Sequence, residues 1–142
     1  MNYFLVKIRY DKMQENGIVK TVTEQFLVDT LSFTDAEARI TEEMKPYTQG
    51  EFMVSAISRY KVSESFLDES GERYYRCKLE YITLDEKSGS EKKQGVFFLV
   101  QSDTIENAKN IVVAEMKKTT IDYDIVKIEE TKILDVFKQK QV

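Results

Sequence analysis

Phe4, Val6, Ile8 and Tyr10 alternate with Leu5, Lys7 and Arg9 at the opening of the chain. That period of two predicts a strand with one buried face. Asn16-Gly17 follows, a strong signal for a type I′ hairpin turn, and Val22, Phe26 and Val28 give the returning strand its apolar face. The period then changes. Ala36, Ile40 and Met44 fall four apart behind Thr34-Asp35-Ala36-Glu37, which reads as a capping box opening a helix. Pro46 forces its predecessor out of helical geometry, so the helix is expected to stop near Lys45. A third strand is expected to begin near Phe52.

The same succession returns some seventy residues later. Tyr3, Lys7 and Tyr10 recur as Tyr74, Lys78 and Tyr81, Phe26-Leu27-Val28 as Phe98-Leu99-Val100, and Glu43-Met44-Lys45 as Glu115-Met116-Lys117. Phe52, Val54, Ile57, Lys61, Val62 and Phe66 fall on Tyr123, Ile125, Ile128, Lys132, Ile133 and Phe137. Ser88-Gly89-Ser90 takes the place of the first hairpin tip, and Asp103 with Glu106 the capping roles before Ala108, Ile111, Val112 and Met116. In both third strands the apolar spacing changes parity, between Val54 and Ile57 and between Ile125 and Ile128, which predicts a shared bulge. The expected fold is therefore α+β, a tandem duplicated β-β-α-β unit. It has six mostly antiparallel strands with two helices packed on one side, in one sheet or two. Residues 1–142 are expected to form a single compact domain of two repeats, approximately 1–70 and 71–142, meeting at the polar turn Asp68-Glu69-Ser70-Gly71. Val96 to Val100 is apolar on both sides, so that strand should be central or covered.

Composition narrows the chemistry. With 142 residues the chain is long enough to bury a core, about 68% of its unfolded surface. It has no His and one Cys, which removes Ser-His-Asp and Cys-His nucleophiles, His-dependent metal sites, CxxC redox motifs and internal disulfides. A net charge of −4 does not favour nucleic acid or anionic lipid for the molecule as a whole. No apolar run approaches the ~18 residues of a membrane helix, and Lys7 and Arg9 fall where a signal peptide needs its apolar core. A cytoplasmic protein without membrane contact is expected.

Few residues invite a chemical role. Cys77 shares an alternating face with Tyr75, Leu79 and Tyr81, and its counterpart in the first copy is Val6, so it reads as a small buried residue. The pairs Asp122/Asp124, Glu129/Glu130 and Glu42/Glu43 lack any motif and read as solvated faces. Five glycines form neither GxxxxGK nor GxGxxG. No catalytic, cofactor-binding or metal-ligating residue is expected, and no cofactor. Asp85 to Lys93 reads as a polar hairpin tip.

The constellation with most specificity lies on the other face of the leading strands. Tyr3, Lys7 and Arg9 in the first copy and Tyr74, Arg76 and Lys78 in the second combine bases with aromatics, and Arg59 and Lys61 join them if the bulge turns them that way. Such a face could stack bases and meet phosphates. Glu80 in the row and the acidic total charge weigh against this, and Lys and Arg stems covering a solvated sheet explain the same residues. Long strands also leave edges that can pair with another chain.

MNYFLVKIRY, FLVDTLSFTDAEARI from Phe26 to Ile40, and LDEKSGSEKK from Leu84 to Lys93 resemble a family of small uncharacterised bacterial proteins common in Bacteroides and related gut bacteria. The resemblance implies a bacterial domain and transfers no site residues. The leading functional expectation is a non-enzymatic binding or regulatory module working through a protein partner or as a homo-oligomer. A single-stranded nucleic acid or nucleotide binder using the basic-aromatic face is the alternative.

Overall fold

The opening alternation becomes β1 (Tyr3–Met13), and the returning strand is β2 (Val19–Asp29), paired antiparallel with Tyr3 opposite Asp29 and Met13 opposite Val19. The computed structural model describes residues 2–48 and 50–140. Gly17 alone in this turn has a positive φ, +81°, and its amide donates to the Gln14 carbonyl. A type I′ turn needs two positive φ values, so the expected turn type is corrected to a three-residue loop ending on a left-handed glycine. The second hairpin closes over Asp85 to Ser90, with Gly89 at φ +69°.

Helix α1 spans Phe33–Glu43. Its N-cap is Ser32, not Thr34. The Ser32 hydroxyl accepts from the Asp35 amide at 3.1 Å and donates to the Asp35 carboxylate at 3.0 Å. Ser32 lies two residues before Thr34, so the helix starts about half a turn nearer β2 than expected. Ala36, Ile40 and Met44 are fully buried, as the spacing required. They pack with Val6, Ile8, Tyr10, Phe26 and Val28. β3 (Phe52–Tyr60) pairs antiparallel with the other edge of β1. The register slips between Lys7 and Ile8, leaving Ser55 as the extra residue, with its hydroxyl donating to the Lys7 carbonyl at 3.2 Å. The expected bulge is there, and it keeps both Val54 and Ile57 on the core side.

After β3 the chain leaves this sheet. β4 (Glu64–Phe66), β5 (Arg73–Leu84), β6 (Glu91–Ser102), α2 (Ile105–Met116) and β7 (Asp122–Glu130) follow, then β8 (Ile133–Phe137). Two compact units result: Met1–Lys61 with Lys132–Val142, and Val62–Thr131. The first contains a sheet of order β3-β1-β2-β8, with β8 parallel to β2. The second contains a sheet of order β4-β6-β5-β7, with β4 parallel to β6. The six mostly antiparallel strands expected are thus corrected to eight in two mixed sheets. The repeated apolar pattern from Phe52 to Phe66 divides into β3 and β4, and that from Tyr123 to Phe137 into β7 and β8. The Asp68–Gly71 turn, where the halves were expected to meet, joins β4 to β5 inside the second unit.

In the second unit Thr104, not Asp103, caps α2 and accepts from the Asn107 amide at 3.1 Å, while Asp103 accepts from the Asn107 side chain at 2.7 Å. Ala108, Val112 and Met116 pack on Tyr75, Cys77, Leu79, Val96, Phe98 and Val100. β6 is interior to its sheet, as its two-sided apolar pattern required. β7 slips against β5 between Lys78 and Leu79, which makes Val126 the bulged residue at the place Ser55 holds in β3.

Candidate functional site

Pairing decides which way each basic residue points. Lys7 lies opposite Gln25 and Ala56, and Arg9 opposite Thr23 and Met53, on the face away from α1. Tyr3 shares that face but is only 4% exposed. In the second unit Arg76 and Lys78 lie opposite Glu129 and Lys127, again away from the helix, and Tyr74 is only 6% exposed. Leu27 and Leu99, on the same faces, are fully buried. The aromatic half of the expected platform is therefore inside the protein, and its rings cannot receive a base. Arithmetic of alternation located the face correctly but could not say how much of it is covered.

The cations fare differently. Arg59 pairs with Phe4, so the bulge turns it to the helix side, where its guanidinium covers the rings of Phe4 at 5.4 Å and Phe33 at 5.3 Å. It does not join Lys7 and Arg9. Arg76 stands over Phe97 at 4.0 Å, a cation–π contact. Lys78 runs alongside Gly95, its Cε 3.6 Å from where a β-carbon would sit. Lys61 is exposed just beyond β3. Tyr3, Lys7, Arg9, Arg59 and Lys61 belong to the first unit and Tyr74, Arg76 and Lys78 to the second.

Burial and hydrogen bonding shift several titratable groups. Burial pushes the Cys77 thiol up to about 11. Hydrogen bonds from Ser70 hold Asp68 below the ordinary carboxylate range, and donation from Asn107 does the same for Asp103. Both acids line a groove of 540 Å³ in the second unit with Ser102, Asn107 and Asn110. Acids held ionised in this way do not match a general acid, which needs a raised pKa. Among the described residues no three Asp, Glu or Cys side chains converge as metal ligands.

Two features escaped the sequence reading. The outer part of the first hairpin is exposed from Asp11 to Met13 and from Glu15 to Thr21. It carries Met13 (71% exposed), Ile18 (55%) and Val19 (54%), with Met13 and Val19 directly opposite one another. The apolar row of the core face ends at Tyr10 and Val22 and passes into the Lys12–Lys20 pair, so Met13 and Val19 lie on the opposite face, beyond the core. The second is a groove of 280 Å³ in the second unit, lined by Glu64, Phe66, Tyr81, Phe98, Met116 and Thr119 among others. In the first unit the matching place holds Tyr47, whose ring meets Phe26 edge-on at 5.9 Å and whose hydroxyl donates to Asp135 at 2.9 Å.

With the geometry in place, comparison with known proteins supplies the family. Residues 2–139 match the model of a domain of unknown function, DUF4494. The chain belongs to that family. No curated protein and no solved structure matches it.

Proposed function

We propose that this DUF4494 protein is a non-enzymatic binding module that acts through protein contacts, made by the outer part of its first hairpin. The observation that carries the reading is the exposure of Met13, Ile18 and Val19 together at the end of an arm that reaches past the helix-covered core. A partner that covers apolar side chains on a paired hairpin need not order the backbone that carries them, since β1 and β2 already hold it. The absence of enzymatic activity is part of the same reading, supported by a buried thiol with a raised pKa and by carboxylates held ionised. So is a bacterial, cytoplasmic setting, supported by the family resemblance and by a single, unpaired cysteine. The nucleic acid alternative keeps its cations in Lys7, Arg9 and Lys78 but loses its stacking rings, since Tyr3 and Tyr74 are 4% and 6% exposed.

Sedimentation equilibrium on the full chain, with and without Met13→Asp and Val19→Asp, tests the reading. A mass that rises with concentration and returns to monomer in the double variant supports self-association through the arm. Where the pure protein is monomeric, a partner identified by co-purification must bind the purified wild type and not the variant. A monomer whose purified partners bind both proteins alike overturns the proposal.

A further inference from the structure

The two sheets allow a residue-by-residue comparison of one corner. Asp135 of β8 pairs with Phe26 of β2, and Glu64 of β4 pairs with Phe98 of β6, so each places a carboxylate beside a buried phenylalanine. Met44 is the C-cap of α1 and Met116 the last residue of α2, both buried in their cores. Three residues on, the amides of Tyr47 and Thr119 each donate to that methionine's carbonyl at 3.0 Å. Tyr47 and Thr119 therefore hold the same position. Tyr47 swings its ring across Phe26 and its hydroxyl onto Asp135. Thr119 cannot reach Glu64, and its hydroxyl turns back to the Met116 carbonyl at 2.8 Å. The space Tyr47 occupies in one unit is the 280 Å³ groove of the other.

We infer that the groove between α2 and β4 is a binding site for a phenolic ring, which would lie against Phe98 and donate its hydroxyl to the Glu64 carboxylate. Phe66, Tyr81, Phe98 and Met116 supply an apolar floor and wall, and two carboxylates stand at its rim: Glu115, which is paired with Lys118 at 3.0 Å, and Glu64, which lies beside Phe98 as Asp135 lies beside Phe26. The volume is ample for one ring and lies at the lower end of the range of about 300–1,000 Å³ usual for small-molecule pockets. The donor must be neutral or cationic. Glu64 already raises the affinity of the nearby Tyr81 phenol for its proton, second to burial, which is the electrostatic environment a protonated phenol prefers. Tyr47 itself shows the bound pose, with burial and its bond to Asp135 raising its own pKa. The inference needs no protein partner and stands apart from the reading of the hairpin arm.

Titration of the full-length protein with p-cresol, followed by amide and methyl NMR shifts, is the test. Saturable shifts centred on Phe98, Met116 and Thr119 are expected, with a Kd on the order of millimolar for so small and partly exposed a ligand. Thr119→Tyr refills the groove as Tyr47 does, and should weaken binding at least tenfold while raising Tm. In Glu64→Val the advantage of p-cresol over toluene, about fivefold in the wild type, should vanish; this variant keeps the test intact if Thr119→Tyr fails to fold. Tyr47→Thr should open a second site and double the stoichiometry. N-acetyl-tyrosinamide binding more tightly than p-cresol identifies a polypeptide tyrosine as the natural occupant, and weaker binding identifies a free phenol; both uphold the site. Shifts that do not saturate, that centre elsewhere, or that persist unchanged in Thr119→Tyr overturn it.

Discussion

Phe137 stacks on Phe26 with 5.8 Å between ring centroids, although it arrives on β8 at the far end of the chain. Phe66 meets Phe98 edge-on at 5.5 Å in the other unit, carried there by β4. Each unit thus takes its fourth strand from the segment that follows the third strand of the other. A parallel neighbour cannot be reached by a tight turn: β5 supplies the crossover from β4 to β6, and the whole second unit lies in the connection from β2 to β8. The first sheet is consequently incomplete until the last residues of the chain are in place.

Phe137→Ala is therefore expected to destabilise the first unit by about 2–3 kcal/mol, somewhat below the cost for a fully enclosed phenylalanine because Phe137 is only half-buried. Urea denaturation gives the magnitude, and hydrogen exchange at Val6, Ile8 and Phe26 locates it. A loss under 0.5 kcal/mol, or one felt only in the second unit, contradicts the exchange of strands.

The caps can be weighed separately. Ser32→Ala and Thr104→Ala should each cost about 1 kcal/mol, because each hydroxyl accepts an otherwise unsatisfied amide at its helix start. Thr34→Ala, inside the first turn of α1, should stay within about 0.5 kcal/mol. Chemical denaturation of the three variants would expose a reversed order at once.

Why some of this was legible and some not follows from the range of the interactions. Alternation through Phe4, Val6, Ile8 and Tyr10, the i, i+4 stripe of Ala36, Ile40 and Met44, and the parity change at Ser55 and Val126 are local signals, and each is realised. The break at Lys61 to Ser63 is not local in that sense. Val62 and Phe66 continue the apolar pattern of β3, and only a distant partner, Val100 opposite Phe66, decides that they belong to another sheet. The same limit applies to the basic-aromatic face: period two put Tyr3 and Tyr74 opposite the helix side, but their burial depends on tertiary packing that alternation does not carry. The groove beside Thr119 corresponds to a single difference between the two halves, Tyr47 against Thr119, and one differing position carries no periodic signal.

Glycines offer a paired comparison. A β-carbon on Gly71 would lie 2.6 Å from the Ser102 backbone nitrogen and 2.7 Å from its Cα, so Gly71→Ala must push β6 away or shift the turn that begins at Asp68. A loss of about 2–3 kcal/mol is expected, as for other overpacked sites. On Gly95 the nearest atom is the mobile Cε of Lys78 at 3.6 Å, so Gly95→Ala should be neutral or stabilise the strand by up to about 1 kcal/mol. Thermal unfolding of the two proteins reads the contrast, and equal Tm values would refute the close approach of Gly71 to Ser102.

Alkaline pH probes the two buried cores through groups whose protons the fold retains. Burial raises the Cys77 thiol from 9.0 to about 11, and burial followed by donation to Glu24 raises the Tyr10 phenol from 10.0 to about 12. Both shifts are upward, so the folded state binds the proton more tightly than the unfolded chain does. The stabilisation is complete below pH 9. It declines from pH 9 to 11 as the unfolded thiol and then the folded one ionise, and from pH 10 to 12 for the phenol. Cys77→Val, which installs the residue found at the matching position 6, should keep the fold within about 1.5 kcal/mol at pH 7 and remove the decline that begins at pH 9. Tyr10→Phe should remove the part above pH 10. At pH 8 the native thiol is about one-thousandth ionised and enclosed, so a disulfide reagent should label it only after denaturant is added. Stoichiometric labelling of the native protein within minutes, or an alkaline decline identical in all three proteins, would show that neither core group holds its proton as described.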